Sequence, residues 1–237
     1  MIGIHINDIN DIYKSNKKIF QIFINEKISN DKKFINHIKN NDIVVIVHAS
    51  YSINLSKIWS PNSSHILQLI NEIKYAHKIG SPYIVIHTGK QMDKPLSVAI
   101  NNMYSALLHI LSYTKNIKIL LETPSGQGTE TLTDIKDFCN FVKKFNDKIG
   151  ICIDTCHIFV AGNDIRTQKN INNFFETIDK TVGIDKIKLC HLNDSKNKLG
   201  SRIDRHEKIG KGYIGQSSIN QIIKFLDFID VPMINEF

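Results

Sequence analysis

The strongest constraint on the fold is a regular alternation of short apolar runs with segments of helical periodicity. Eight runs are rich in β-branched residues and almost continuously apolar, which is typical of strands buried on both faces of a parallel sheet. These predicted strands are Ile2–Ile6, Ile19–Ile24, Ile43–His48, Tyr83–His87, Ile117–Glu122, Ile149–Asp154, Lys186–His191 and Val231–Glu236. Helical spacing of apolar residues predicts helices between the later strands, at Pro61–Ile79, Pro95–Tyr113, Leu132–Phe145, Asn170–Ile178 and Ser217–Phe228.

This alternation favours an α/β fold, and eight strands favour a (β/α)8 TIM barrel. A doubly wound open sheet is the alternative, but the glycine-rich first turn typical of that fold is absent after Ile6. The 237 residues suit a single barrel domain over residues 1–237, since such barrels use about 250 residues. The sequence ends at Phe237 directly after the eighth predicted strand, so we expect the final helix of the usual barrel to be lacking.

Targeting and cysteine patterns favour an intracellular protein. No apolar run approaches the roughly 18–20 residues of a membrane span, and residues 1–11 contain neither Lys nor Arg, unlike a signal peptide. The four cysteines form no CxxC pair and are too few for a disulfide framework. We therefore expect a reducing compartment, such as the cytoplasm, the nucleus or a viral factory, and no association with membranes.

The later predicted strands share an unusual feature, since six consecutive strands each end in a possible metal ligand. These residues are His48, His87, Glu122, Asp154, His191 and Glu236. In a barrel, the carboxyl ends of all strands meet on the face where active sites form. A lone histidine at a strand end is commonly structural, but six such ends in succession predict a metal centre.

Two further groups add candidate ligands. His157 follows Asp154 by three residues, and Asp204 and His206 lie in a loop bounded by Gly200 and Gly210. Since an ion takes three or four protein ligands, five histidines and four carboxylates are too many for one ion. A bridging carboxylate such as Glu122 would hold two ions about 3.5–4 Å apart. The absence of a thiolate favours a catalytic zinc or manganese cluster over a structural cysteine site.

The distribution of positive charge favours a phosphate-rich partner. The net charge is +7, with 30 Lys and Arg residues, yet the only arginines are Arg166, Arg202 and Arg205. All three lie in or beside the segments that contain candidate ligands. Arginine offers a planar, bidentate donor for phosphate that lysine does not. The lysines supply a diffuse field that attracts polyanions.

Six stretches of the sequence resemble the endonuclease IV family of apurinic/apyrimidinic (AP) endonucleases. They are His48–Leu55, His87–Gly89, Glu122–Gly128, Asp154–Asp164, His191–Lys196 and Gly200–Gly215. The first two are weak motifs alone, whereas Asp154–Asp164 and the run from His191 to Gly215 are highly specific. Together with the flanking strands they extend from about residue 43 to the C-terminus.

The resemblance implies three zinc ions, with Mn²⁺ as an alternative at some sites. The implied ligand sets are His48, His87 and Glu122 for the first ion, Glu122, Asp154, His191 and Glu236 for the second, and His157, Asp204 and His206 for the third. All nine positions have the residue type that the family uses.

The resemblance also implies an activity, which is hydrolysis of double-stranded DNA 5′ to an abasic site in base excision repair. A metal-activated water would attack the phosphate, oriented by the catalytic residues Glu122 and Glu236. The products would be a 3′-hydroxyl and a 5′-deoxyribose phosphate, with trimming of blocked 3′ ends as a further activity. Expected DNA contacts are Tyr51, Asn193, Lys196, Arg202 and Arg205. We expect the protein to act as a monomer.

Two alternatives remain open. A metal-dependent sugar isomerase or epimerase could use the same barrel, but it needs neither the Asp204–His206 loop nor a basic surface. A catalytically silent DNA-binding protein is the second alternative, although binding alone gives no reason to keep His157, Asp204 and His206 together. Activity on ketoses and cleavage of damaged DNA distinguish these hypotheses.

Overall fold

Eight parallel strands close into a barrel in the computed structural model, which describes residues 1–237. The strands are β1 Ile2–His5, β2 Ile19–Phe23, β3 Val44–His48, β4 Tyr83–Ile86, β5 Lys118–Glu122, β6 Ile149–Asp154, β7 Ile187–His191, β8 Asp194–Ser195, β9 His206–Glu207 and β10 Met233–Asn235. The barrel order is β1-β10-β7-β6-β5-β4-β3-β2, and β8 pairs with β9 as a separate antiparallel hairpin. The predicted TIM barrel is therefore confirmed, and no helix follows β10.

Helices connect the strands around the outside of the barrel. They are α1 Glu26–Asn30, α2 Lys32–Asn40, α3 Ser64–Ile79, α4 Leu96–Ile110, α5 Ile135–Lys143, α6 Thr155–Val160, α7 Gln168–Val182 and α8 Gln216–Phe228. Short 3-10 helices lie at Ile9–Lys14, Leu111–Tyr113, Asn146–Lys148 and Ile184–Lys186. None of the helices is long and apolar enough to span a membrane.

The core has two parts, one inside the barrel and one between the strands and the helices. The larger cluster contains 53 buried residues from strands and helices. A separate cluster of 7 residues draws one side chain from each of seven barrel strands and fills the barrel interior. Its members are Ile19, Ile46, Val85, Leu120, Cys152, Leu189 and Ile234. This apolar layer forms the floor beneath the carboxyl ends of the strands.

The structure differs from the sequence predictions mainly in short elements. The helices α1, α2 and α6 were not predicted. Helices α1 and α6 are too short to show a clear apolar periodicity, whereas α2 is as long as α5 and buries Phe34 and Ile38, so its pattern was overlooked. Helix α5 begins after Asp134, whose carboxylate accepts the backbone N–H groups of Lys136 and Asp137. Gly215 precedes α8, and no side chain caps that helix.

Candidate metal centre

The phase of the strands explains why the candidate ligands converge. Side chains along a strand alternate between the two faces, so the next inward position after a floor residue lies two residues further on. At that position the seven strands place Gln21, His48, His87, Glu122, Asp154, His191 and Glu236. A single layer of polar side chains therefore lies directly above the apolar floor.

Glu122 lies at the centre of this layer, and four histidines surround its carboxylate, of which His157 is the furthest, with Nδ1 3.5 Å from Oε1. One carboxylate oxygen, Oε2, lies 3.3 Å from Nε2 of His48 and 3.2 Å from Nε2 of His87. The other, Oε1, lies 2.7 Å from Nδ1 of His191. Glu122 and His191 are 1% and 0% exposed. This is the arrangement expected of a carboxylate that bridges two ions.

The electrostatics of Glu122 favour its charged form. Burial would raise its pKa, but the imidazoles of His87 and His191 hold that pKa well below the ordinary value of 4.5. Burial lowers the pKa of His87 to about 4. The carboxylate of Glu122 and the imidazole of His87 are therefore already in the protonation states that metal ligation requires.

Asp154 and Glu236 flank His191 in the layer, at the ends of the two strands that neighbour β7. Their carboxylates lie 3.9 and 3.6 Å from Nδ1 of His191, and these three side chains form one compact group of potential ligand atoms. The amide of Asn193 donates to Asp154 at 2.8 Å and to Glu236 at 2.9 Å. Asn193 is completely buried, which favours a role in orienting these carboxylates.

A second group of candidate ligands lies at the rim of the barrel. Nε2 of His157 lies 3.0 Å from Oδ2 of Asp204, and Nε2 of His206 lies 3.2 Å from Oδ1 of the same residue. His157 is placed by Asp154, which caps α6 and accepts the His157 backbone N–H at 2.9 Å. The side chains of Asp204 and His206 remain 26% and 24% exposed. Nε2 of His206 also lies 3.5 Å from Asp154.

The rim group has the donor set and the geometry that suit a cation. The Nε2 atoms of His157 and His206 are buried and have no hydrogen-bond partner, although both face the Asp204 carboxylate. Buried ring nitrogens normally have a partner. Two imidazoles and a carboxylate converging in this way are ordinary zinc ligands.

Cys156 lies near the rim group but is a poor ligand. Its sulfur is 3.9 Å from Oδ1 of Asp204. Burial raises the pKa of the Cys156 thiol to about 12, and a zinc ligand has to be the thiolate. All four cysteines are buried and unpaired.

Gln21 is a site residue that sequence reasoning missed. Its Oε1 accepts from Nε2 of His191 at 2.8 Å, and its Nε2 donates to Glu236 at 2.9 Å. Gln21 therefore leaves Nδ1 of His191 free to face Glu122. Nδ1 of His5 lies 3.0 Å from the same amide nitrogen. The sequence did contain a signal, because Gln21 is a polar residue at an inward-facing position of β2. It was missed because only charged residues and histidines at strand ends were considered.

Four of the five predicted DNA contacts lie at the surface around this centre. Tyr51 is 67% exposed, and its ring lies 5.3 Å from that of His48 and 5.2 Å from that of His87. Lys196, Arg202 and Arg205 are exposed in the loop of residues 196–215, the rim loop, which contains Asp204 and His206. Arg166, by contrast, forms a bidentate pair with Asp164 at 2.9 and 3.0 Å, so its guanidinium is already engaged.

A closed parallel barrel with these ligands at its carboxyl face defines the class of metal-binding, xylose isomerase-like TIM barrels. The model of the family described as "Xylose isomerase-like TIM barrel" matches residues 6–237. A relative in Mycoplasmopsis agalactiae named "Probable endonuclease 4" is 38% identical over 193 residues, covering 81% of this chain and 68% of the relative. The chain belongs to the endonuclease IV family, and it spans about two thirds of the length of the curated relatives it matches.

Solved structures show how widely this fold is used. Endonuclease IV from Thermus thermophilus superposes with a TM-score of 0.83 at 21% identity, covering 100% of this chain and 91% of that one. A D-tagatose 3-epimerase-like protein superposes with a TM-score of 0.78 at 20% identity, covering 99% and 89%. The barrel alone therefore does not distinguish a nuclease from a sugar epimerase.

Proposed function

We propose that this protein is a zinc-dependent AP endonuclease of base excision repair. The observation that supports it most is the convergence of nine His, Asp and Glu side chains in two adjoining groups at one end of the barrel. Hydrolysis 5′ to an abasic site would leave a 3′-hydroxyl and a 5′-deoxyribose phosphate. Trimming of blocked 3′ ends fits the same centre.

The division of the ligands among the ions follows the resemblance to the endonuclease IV family. His48, His87 and Glu122 would hold one ion, and Asp154, His191 and Glu236 would hold a second that shares Glu122. His157, Asp204 and His206 would hold the third. Zinc bound there supplies Lewis acidity for the phosphate and lowers the pKa of water.

The protein's own residues then orient the reaction. Glu122 and Glu236 each place a carboxylate oxygen near Nδ1 of His191, at 2.7 and 3.6 Å, so their carboxylates can accept hydrogen bonds from a water bound near this atom. Gln21 and Asn193 fix these carboxylates by direct hydrogen bonds, which limits the reorganisation needed during attack. The buried floor of the barrel excludes bulk water from beneath the layer.

The rim favours double-stranded DNA as the substrate. Lys196, Arg202 and Arg205 present exposed cations beside Asp204 and His206, where a DNA backbone would pass. Tyr51 adds an exposed ring beside His48 and His87. A target nucleotide must leave the base stack for its phosphodiester to reach a layer this deep in a barrel mouth.

The sugar isomerase or epimerase remains the second candidate because of the barrel's likeness to a D-tagatose 3-epimerase-like protein. Isomerisation or epimerisation of a sugar would need only one or two metal ions at Glu122. The rim group and its cationic loop have no role in it. This difference favours the nuclease.

The deciding experiment uses a duplex with one tetrahydrofuran abasic analogue, which a β-elimination lyase cannot cut. The zinc-loaded protein should nick the strand 5′ to the analogue and leave a 3′ end that a DNA polymerase extends. An undamaged duplex is the control, and prolonged chelation should slow the reaction. Failure of a folded, metal-loaded sample to cut the analogue, or turnover of ketoses in a coupled assay, would contradict the nuclease proposal.

A further inference from the structure

Asp194 is a buried carboxylate with no cationic partner. It follows His191 by three residues, forms the start of β8 and is 0% exposed. No Lys, Arg or His side chain forms a salt bridge with it. A buried charge is costly unless hydrogen bonds satisfy it, so the surroundings of Asp194 must compensate for this cost.

Five backbone N–H groups surround the two oxygens of Asp194. Ser195 and Ile214 donate to Oδ1 at 2.8 and 2.9 Å. Gly210 and Gly212 donate to Oδ2 at 3.0 and 3.1 Å. Gly215 donates to Oδ2 at 3.2 Å and to Oδ1 at 3.4 Å. Four of these donors come from residues 210–215. Asp194 therefore holds the C-terminal end of the 196–215 loop by hydrogen bonds close to the end of β7.

The same contacts fix the position of the rim ligands. Ser195 pairs with His206 in the β8–β9 hairpin, and the backbone N–H of Lys196 donates to the Arg205 carbonyl at 2.9 Å. Tyr213 donates to the Ser195 carbonyl at 2.8 Å. Asp204 and His206 therefore lie on a loop whose start and end are both held at Asp194 and Ser195.

We propose that Asp194 is a positioning residue, whose ring of N–H donors pre-forms the 196–215 loop so that Asp204 and His206 face His157. The proposal deepens the proposed function and depends on its third ion. It assigns a function to a residue that is neither a metal ligand nor a contact of one.

The five backbone N–H donors around Asp194 require a carboxylate as their acceptor. Each oxygen of Asp194 accepts from at least two backbone donors, so asparagine would place its NH2 group against N–H groups in either orientation. Gly212 allows the close approach, because a Cβ there would lie 2.3 Å from the Ser195 carbonyl oxygen and 2.5 Å from Oδ1 of Asp194. Substitution of Asp194 or Gly212 should therefore make the 196–215 loop less ordered without altering any of the candidate metal ligands.

The test compares Asp194→Asn with Asp134→Asn, which changes a carboxylate that also accepts backbone N–H groups, but only those of Lys136 and Asp137 in the first turn of α5. Zinc content and affinity are measured by titration with a chelating dye. Hydrogen exchange is measured on the metal-free proteins. We expect Asp194→Asn to weaken the most loosely bound ion by about 10- to 100-fold and to speed exchange in residues 206–215. Excess zinc should restore turnover of Asp194→Asn, and the control should resemble wild type.

Wild-type metal affinity and loop exchange in Asp194→Asn would overturn the proposal. If Asp194→Asn does not fold, Gly212→Ala decides: loss of the same ion with faster loop exchange supports the proposal, and unchanged values overturn it. The zinc-affinity and hydrogen-exchange readouts that decide the proposal do not use DNA cleavage. A wild-type protein that binds three ions yet cuts no abasic analogue would contradict the proposed function while leaving the positioning role supported.

Discussion

The deep and rim parts of the candidate metal centre are held in different ways. His48, Glu122 and His191 end barrel strands, are at most 1% exposed and rest on the apolar floor. Asp204 and His206 lie on a loop and keep about a quarter of their side-chain area exposed. Strand hydrogen bonds pre-organise the deep ligands, whereas separate carboxylate and amide contacts must fix the rim ligands.

This difference predicts that the two parts fail differently. Loss of a deep ligand should abolish the chemistry, because the surrounding strands cannot rearrange. Loss of a rim contact should weaken metal binding or DNA binding and leave the deep part intact. The following predictions test that division, in order of decreasing effect.

The largest effect is expected for Glu122→Gln. The neutral amide removes the charge that faces His48, His87 and His191, so turnover of the abasic duplex should fall at least about 100-fold while duplex binding survives. Single-turnover cleavage and a gel-shift assay measure the two quantities. Glu176→Gln on the exposed face of α7 is the control. Near-normal turnover would show that the bridging assignment is wrong.

A smaller loss is expected for Gln21→Met. Methionine keeps the size of the side chain but removes the hydrogen bonds to His191 and Glu236. Loss of a hydrogen bond to a metal ligand typically costs about 10- to 100-fold in metal affinity or activity. The matched control is Gln168→Met, since Gln168 contacts only Asn172 on α7. Unchanged zinc affinity together with unchanged turnover would show that Gln21 does not support the deep part.

The pH dependence of the metal-free protein tests the charge balance of both parts. Burial lowers the pKa values of His157 and His191, but neighbouring groups raise both well above 6.5: the carboxylates of Asp154 and Asp204 for His157, and Cys152 followed by the carboxylate of Glu236 for His191. Their stabilisation is full below pH 6.5 and is lost as pH rises through the folded-state pKa values. The pKa values of Glu122 and Asp204 are lowered, so their stabilisation is present above their ordinary values and is lost in acid.

Two histidines act in the opposite sense, because burial lowers the pKa values of His5 and His87 to about 4, so their contribution to stability falls as pH drops below 6.5. The prediction therefore concerns the alkaline side, where the metal-free fold should weaken as His157 and His191 lose their protons. Zinc binding displaces the imidazole protons, so the gap in melting temperature between zinc-loaded and chelated protein should widen from about pH 6 to about pH 8. Thermal melts of both forms measure it. A gap that stays constant or narrows would contradict the protonation states assigned to these histidines.

The smallest effect is expected at the cationic rim. Arg205→Ala should weaken binding of abasic and intact duplexes alike and reduce the salt slope of log K by about 1. Arg166→Ala is the matched control, because its guanidinium is paired with Asp164. Fluorescence anisotropy at several salt concentrations measures the DNA affinity of each variant and its dependence on salt. Equal slopes for Arg205→Ala and wild type would exclude a phosphate contact at Arg205.

The comparison also shows what the sequence can reveal. The deep ligands could be predicted because β-branched runs locate the strands and a polar residue at a strand end is conspicuous. The endonuclease IV resemblance and the TIM barrel are both confirmed. Gln21 was missed because an amide is less conspicuous than a histidine, although its phase in β2 matches that of the ligands.

The rim could be predicted only in part. The sequence places Asp204 and His206 in one loop, but the contacts that fix this loop depend on the folded path of residues 196–215. Neither the N–H ring around Asp194 nor the hydrogen bond from the Asp204 backbone N–H to Oε1 of Gln127 at 3.0 Å follows from residue spacing. Burial of Asn193 also depends on tertiary packing, so its proximity to His191 suggested a DNA contact instead.

The most direct measurement is the metal content of the zinc-dialysed protein, followed during timed chelation. Nine ligand side chains at three or four per ion, with Glu122 shared, predict about three ions per chain. We expect one ion to leave first, from the exposed rim, and the deep ions to leave later. A content of one ion or fewer, or release of all ions in a single step, would contradict a centre built from a rigid deep part and a separately held rim.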